Sequence, residues 1–454
     1  MCSFLVTNLR LSDLDYVNYF QKFRGPDLTN AVEYGGYFFV HNLLNLTGQF
    51  SPQPFWDAER EIACLYNGEI YNFKDFGDYP SDGYCLIDLY KEFDVSFPQK
   101  LDGEFAIVLF DFRKKRIIVT TDPFATKPIW ISIENDKIGL SSYQSALKRL
   151  GFKNAMKMPA NLTIVLSMPR FEQKIALSVC EFGLDQYKTD VSDWIAAFDR
   201  AIEKRVRYAN NNLYMCLSSG YDSGCIACAL DNMEVPYYSY TIIGKEKVET
   251  IHERVKYSRF NRNEILQMSK GQYLAHHRYI KQDCEEFTYS SRHLEAGANK
   301  MTDDMAAVGM SFINSRARAK GNKIYLSGQG ADEIYSDYGV NGQKIYPQSC
   351  FGGLFPKSLD TLFPWENFFG GTQQDYLGKE EHIAGLYGVE GRYPFLDKQA
   401  VQEFLWLTPE IKNSKYKSCL HYYLESHDYP FDENVKIGFS AMANLKDSDQ
   451  KRIQ

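Results

Sequence analysis

The chain has 454 residues, roughly three times a common domain length of about 150, so two or three domains are expected and a single small binding module is excluded. Hydrophobic residues make up 44% and charged residues 24%, and an aromatic share of 15% argues for filled cores rather than a disordered polymer. The net charge of −7 is spread without a basic block, which speaks against nucleic acid or an anionic membrane as a partner.

No run approaches the ~18 apolar residues needed to span a bilayer, and the start lacks a basic leader ahead of an apolar core, so a cytoplasmic protein is expected. Short apolar or alternating runs at 36–41, 62–66, 105–112, 116–121 and 128–133, punctuated by Gly, Asp, Asn and Pro, predict a β-rich first part. A helix over 84–93 interrupts it, with Cys85, Leu86, Leu89 and Phe93 at helical spacing. From about residue 190 the texture changes to an amphipathic helix over 193–208, an apolar strand over 213–217, a small-residue turn and another helix. Strand, glycine turn and helix is the opening of an α/β nucleotide-binding fold, and a second such strand is predicted at 323–326. Residues 340–375, rich in Gly, Pro and Phe, predict an irregular excursion, and the tail after 441 is polar and expected to be mobile. Ten cysteines are scattered; the one CxxC, Cys225 and Cys228, sits in an apolar helical run and predicts buried thiols rather than a redox or zinc site.

Cys2 becomes the first residue once the initiator methionine is removed, which puts a thiol and an α-amine on one residue. A thiol of pKa ~8.5 is mostly protonated near neutrality, and an α-amine of pKa ~8 is matched to take that proton. Arg24-Gly25-Pro26-Asp27, Asn67-Gly68-Glu69-Ile70-Tyr71-Asn72, Ser81-Asp82 and Leu101-Asp102-Gly103-Glu104-Phe105-Ala106 follow in order. Taken alone, Asn67-Gly68 reads as a hairpin turn. Together with Cys2, these segments resemble the glutaminase domain of class II glutamine amidotransferases. The resemblance implies Cys2 as nucleophile, Asn67 and Gly68 as oxyanion donors, and Asp82, with Glu69 and Asn42, in the glutamine site. Asn42 stands about eleven residues before Gln53-Pro54, where the family usually carries an arginine for the glutamine carboxylate. Glutamine binding is therefore expected to be either weakened or rebuilt, through His41 or a basic residue from elsewhere.

The segment Leu217-Ser218-Ser219-Gly220-Tyr221-Asp222-Ser223-Gly224 resembles the PP-loop of ATP pyrophosphatases, while its local alternative is a helix N-cap. Leu326-Ser327-Gly328-Gln329-Gly330-Ala331-Asp332-Glu333, then Gly388-Val389-Glu390-Gly391-Arg392-Tyr393-Pro394-Phe395-Leu396-Asp397, and Lys436 in a late Lys-x-x-Phe-Ser stretch, resemble asparagine synthetases. The resemblance implies an Ntn-type αββα sandwich over 1–187 and an α/β parallel-sheet PP-loop domain over 188–454. It assigns ATP to Leu217, Ser218, Ser219, Gly220, Asp222, Ser223, Ser327 and Gly328, Mg²⁺ to Asp222 and Asp332, and charge neutralisation to Lys436.

Gln329, Glu390 and Arg392 are expected on the acceptor side, with a buried structural ion pair as the alternative for the last two. Gln329 replaces the usual glutamate, and Met301-Thr302-Asp303-Asp304-Met305-Ala306-Ala307 lacks the basic and hydroxyl residues usual before the Lys323–Leu326 strand, so the acceptor carboxylate need not be aspartate. Glutamine and a small carboxylate are the expected partners, with ammonia passing between the two sites; a homodimer stays open. Two other readings are a lactam-forming cyclase, against which Cys2, Asn67, Gly68 and Asp82 argue, and a non-catalytic assembly subunit.

Overall fold

The structure, a computed structural model, describes residues 2–209, 212–244, 246–290 and 300–433. The chain divides into two compact units, one of residues 1–181 with 384–390 and one of residues 182–383 with 391 onward. The return of 384–390 to the first unit has no local signal in the sequence.

In the first unit two six-stranded antiparallel sheets lie face to face. One runs Met156–Lys157, Trp130–Glu134, Lys137–Ser141, Ser3–Thr7, Tyr37–Leu43, Leu28–Tyr34; the other Gln173–Ser178, Leu162–Ser167, Arg116–Thr121, Gly103–Asp111, Ile62–Ile70, Phe55–Trp56. Period-two alternation sorts the side chains: Phe4, Val6 and Phe39 meet Leu65, Val108 and Val119 in the buried layer between the sheets. Leu5 and Val40, on the opposite face, pack against Val17 of the helix Leu14–Val17 and Ala146 and Leu147 of the helix Gln144–Arg149. The amphipathic helix Cys85–Phe93 buries Cys85, Leu86, Leu89 and Tyr90 and packs on the strand Ile62–Ile70 of the other sheet, completing helix, sheet, sheet, helix. The predicted strand over 62–66 continues to Ile70, because ladder pairing with Gly103–Asp111 carries the polar Asn67, Gly68 and Glu69 along. Asn67-Gly68 is thus not a hairpin turn.

The second unit is built on a five-stranded sheet ordered Asn261–Leu266, Tyr237–Ile242, Leu213–Cys216, Ile324–Leu326, Glu390–Arg392, with the first four parallel. The predicted amphipathic helix spans Ser192–Val206 and buries Trp194, Phe198 and Ile202, with Phe198 stacked on Trp194 and on Phe395. The helix Tyr221–Asn232 is buried nearly all round, Cys225 and Cys228 included, as expected of structural thiols. The stretch 340–375 contains only short pieces, Gln343–Lys344, Leu359–Thr361 and Glu366–Phe369, before the helix Gly371–Leu386 begins. Among the described residues no helix is long and apolar enough to cross a membrane. The tail after 441 and Lys436 lie outside the described residues.

Candidate active sites

In the first unit Cys2 immediately precedes the strand Ser3–Thr7 in the middle of its sheet. The residue is buried, its carbonyl accepts a hydrogen bond from Arg24 Nε (3.1 Å), and its Sγ lies 3.9 Å from Leu44 O. A small cavity of about 30 Å³ touches Cys2, Tyr66, Gly68, Glu69, Asp82 and Glu390, with Leu43–Thr47 as one continuous wall. Burial pushes the Cys2 thiol up to about 11; the chain-terminal ammonium opposes this, and the charges of Glu390 and Asp82 add to it.

Gly68 sits mid-strand at φ +144°, and a Cβ there would fall 1.8 Å from Glu104 O, so a side chain is excluded by the neighbouring strand's backbone. Asn67 beside it is buried with neither carboxamide atom hydrogen-bonded among the described residues, which leaves both available to a ligand. Its side chain is not in the lining of the Cys2 cavity, whereas Gly68, Glu69 and Asp82 are. Asp82 is held by Ile70 N–H (2.9 Å), Gly83 N–H (2.9 Å) and Ser81 Oγ (3.1 Å), and Thr47 Oγ1 donates to Glu69 (2.8 Å).

The structure corrects the expectation for Asn42. Its Nδ2 donates to Ser3 Oγ (2.9 Å) and Asn18 Oδ1 (2.8 Å), and its Oδ1 accepts from Asn18 Nδ2 and Thr29 Oγ1 (2.8 Å each). Both donors and both acceptor sites of the amide are used in a buried network, so none is left for glutamine. His41 does not line the cavity either; burial drives its pKa down to about 3 and keeps the ring neutral.

In the second unit the strand Leu213–Cys216 runs through Leu217-Ser218-Ser219-Gly220 into the helix Tyr221–Asn232. A cavity of about 400 Å³ opens there, touched by Ser218, Gly220, Asp222, Ser223, Gly328 and Asp332 among the expected residues. Gly328 is constrained, since a Cβ on it would come 3.0 Å from Asp222 Cβ. Ser327 lies just behind, its Oγ accepting from Gln329 N–H (3.1 Å). Leu217 and Ser219 are not in the cavity lining. Ser219 is turned away, giving both N–H and Oγ to Glu246 Oε2 (2.8 Å each), so a carboxylate already occupies this amide of the loop. Arg254, fully buried, donates from Nη1 to Ser218 O (2.6 Å) and Gly220 O (3.0 Å) and so sets the direction of these two peptide units.

Asp222 and Asp332 are bridged by a residue the sequence did not flag. Lys417 Nζ lies 2.5 Å from Asp222 Oδ1 and 2.8 Å from Asp332 Oδ1, and Tyr416 OH donates to Asp332 Oδ1 (3.2 Å). Burial alone would lower the Lys417 pKa, yet the two carboxylates hold the ammonium above the ordinary lysine range. Two carboxylates this close suit a hard cation that takes its other ligands from phosphate oxygens and water. Among the described residues no group of three or more His, Cys, Asp or Glu side chains could hold a metal by itself.

Of the three acceptor-side expectations, only Gln329 lines this cavity, donating from Nε2 to Glu380 Oε1 (3.2 Å). Burial raises the Glu380 pKa to about 7. Glu390 instead belongs to the first unit, where it walls the Cys2 cavity, and Arg392 is buried with Nη1 on Arg205 O. Lys417, Arg254, Glu246 and Glu380 were missed because each reaches its partners across the fold from a helix, a turn or a loop with no distinctive local spacing.

Residues 3–182 match the family model of the glutamine amidotransferase domain and residues 193–354 that of asparagine synthase. A protein of Methanocaldococcus jannaschii, provisionally named a glutamine-hydrolysing asparagine synthetase, is 26% identical over 438 residues, covering 88% of this chain and 75% of that one. The glutamine-hydrolysing asparagine synthetase of Triphysaria versicolor is 24% identical over 418 residues, covering 87% and 67%. Among solved structures, the glutamine phosphoribosylpyrophosphate amidotransferase of B. subtilis is similar at 12% identity and a TM-score of 0.31, over 89% of this chain and 92% of that one. The chain thus carries a glutamine amidotransferase domain followed by an asparagine synthase domain, and over most of its length it is similar to proteins named as glutamine-hydrolysing asparagine synthetases.

Proposed function

We propose that the chain builds an amide in two steps at two sites, taking nitrogen from a glutamine carboxamide at Cys2 and delivering ammonia to a small carboxylic acid, aspartate or a related acid, that ATP has activated as its adenylate. The observation that carries the second half is the convergence of Asp222, Asp332 and Lys417 on the cavity below the Ser218–Gly220 turn.

At the first site the thiol is protonated at rest, because burial first and then Glu390 and Asp82 disfavour the thiolate. The α-amine of Cys2 takes the proton as sulfur bonds to the carboxamide carbon; the C–N bond breaks and nitrogen leaves as ammonia with that proton. Water then cleaves the thioester to the free acid and restores the thiol. Asn67 and Gly68 N–H are the donors for the oxyanion, which accounts for a buried carboxamide with no partner of its own. The cavity of about 30 Å³ holds little more than a water or two, so the Leu43–Thr47 wall has to yield when substrate enters.

At the second site Ser218, Ser223 and Gly328 receive the phosphates, with Arg254 orienting the turn. Asp222 and Asp332 would hold Mg²⁺, which supplies charge neutralisation for the departing pyrophosphate. Lys417 offers positive charge beside the same oxygens, and Lys436 is assigned a like role by resemblance alone.

A second reading, closure of a lactam on the acceptor's own amine, has one observation in its favour. Glu380 is a buried carboxyl poised near neutrality on the cavity wall, suited to take a proton from an attached ammonium. Pyrophosphate release screened across carboxylic acids, aspartate included, with glutamine or ammonium as nitrogen source, tests both readings. Product containing nitrogen from glutamine supports the amidotransferase; a product lighter than the acceptor by one water, with no added nitrogen, replaces it by the cyclase. Asp222→Asn should abolish pyrophosphate release, and unaffected release would show that the loop does not activate the acid.

A further inference from the structure

The segment 301–307 and the irregular stretch that starts at Asp337 both reach the cavity of about 400 Å³ in the second unit: Asp304 and Ala306 come from the first, Tyr338 and Tyr346 from the second. Tyr376 and Lys379 join them from one face of the helix Gly371–Leu386, one turn apart. The charge of Lys379 is already balanced. Its Nζ lies 3.1 Å from Asp304 Oδ2, to which Tyr289 OH also donates, and Ala306 N–H donates to Asp304 Oδ1 (2.6 Å). Burial alone would raise the Asp304 pKa, yet Lys379 and Tyr289 hold it below the ordinary carboxylate range, so ammonium and carboxylate cancel.

The rings on this wall are fixed before anything binds. The Lys379 ammonium sits 4.5 Å over the Tyr376 ring, which Tyr289 meets edge-on at 6.2 Å. Asp337 and Tyr338 are consecutive non-glycine residues at φ +44° and +56°, a combination that persists only where the surroundings over-determine it. They do so here: the Asp337 carboxylate accepts from Ser349 Oγ (3.1 Å), Cys350 N–H (2.6 Å), Phe351 N–H (2.8 Å) and Asn367 Nδ2 (2.8 Å), while Tyr338 OH donates to Glu333. Tyr346 packs edge-on against Tyr338 at 6.3 Å. Rings held from several sides offer apolar faces to a ligand with little further loss of freedom.

We infer that the acid activated in this cavity carries an aromatic ring, as an aromatic amino acid or an arylalkanoic acid does, in preference to aspartate, and that Tyr376, Tyr338 and Tyr346 receive that ring. The inference rests on reading this cavity as the place where the acid is adenylated, and the chemistry of that step is unchanged. Removing roughly 100 Å² of ring surface from water is worth about seventyfold in binding. Freezing the ring on entry returns part of this, which leaves about tenfold or more in kcat/KM.

The test uses the full chain with ATP, Mg²⁺ and ammonium chloride, independently of the Cys2 site, and measures pyrophosphate release in two matched pairs. L-Aspartate is compared with 3-amino-3-phenylpropanoate, and succinate with 3-phenylpropanoate; in each pair a phenyl ring replaces the carboxylate that is not activated. In at least one pair the phenyl acid should exceed its dicarboxylate by about tenfold or more in kcat/KM. Tyr376→Leu should raise KM for that acid about tenfold and leave KM for ATP within about twofold, whereas Tyr376→Phe keeps the parent's values. Ratios below about tenfold in both pairs, or a Tyr376→Leu variant that shifts KM for ATP instead, overturn the inference while leaving adenylation intact. No pyrophosphate from any of the four acids overturns the adenylation reading and the inference with it.

Discussion

Lys417→Met removes the one described cation that bridges the two carboxylates assigned to the nucleotide site. At 2.5 and 2.8 Å from Asp222 Oδ1 and Asp332 Oδ1, and at an effective dielectric of about 20, each contact is worth about 6 kcal/mol of attraction. Burying the ammonium, whose side chain is 3% exposed, cancels part of this, and breaking a buried pair from one side costs about 3–5 kcal/mol in all. For a unit of this size about 2–4 °C of Tm accompanies each kcal/mol, so the variant should melt roughly 6–20 °C lower without divalent cation. The lysine and Mg²⁺ compete for the same oxygens, so added Mg²⁺ should raise the Tm of the variant more than that of the parent. Pyrophosphate release should fall about 10²–10³-fold, the usual cost of losing one preorganised charge partner. Calorimetry of the full chain with and without Mg²⁺, paired with a pyrophosphate assay, reads all three quantities. A variant with the parent's Tm, the parent's Mg²⁺ response and undiminished pyrophosphate release would refute the claim that Lys417 neutralises this carboxylate pair.

Cys2→Ala should abolish glutamine-dependent turnover and spare turnover on ammonium salts; equal loss of both would contradict two separable sites. Gly68→Ala should destabilise the first unit by at least about 2–3 kcal/mol, because φ is +144° and the new methyl meets Glu104 O, and a parental melting curve would rule out this placement of the strand. At pH 7 His41 is neutral folded and unfolded, but below about 6.5 the unfolded chain takes a proton that the buried ring refuses down to about 3. Stability therefore falls by about 1.4 kcal/mol per pH unit across that window, and His41→Gln should flatten the slope of unfolding free energy between pH 6 and 4; an unchanged slope contradicts a buried neutral ring.

Much of the fold was legible from local pattern. The strand Arg116–Thr121 falls where alternation predicts it, and the helix Cys85–Phe93 begins one residue inside its predicted start, because β-branched alternation and helical spacing act between near neighbours. Asn67-Gly68 shows the limit. The dipeptide is a hairpin signal by itself, and only the ladder to Ala106 and Phe105 carries it straight through a strand.

Cys2 could be proposed from the sequence because a nucleophile with its own amine is a property of one residue at a chain start, whereas the Ser218–Ser223 turn and Gln329 were singled out through their resemblance to segments of asparagine synthetases. Lys417 and Asp222 are 195 positions apart, Arg254 and Ser218 are 36, and Gln329 and Glu380 are 51; no spacing rule connects them. The tertiary structure alone decided that Asn42 faces a closed amide network and that Glu390 walls the Cys2 cavity. Sequence determines which groups a chain carries and how neighbours along it turn, whereas the lining of a cavity is a set of residues that only packing brings together.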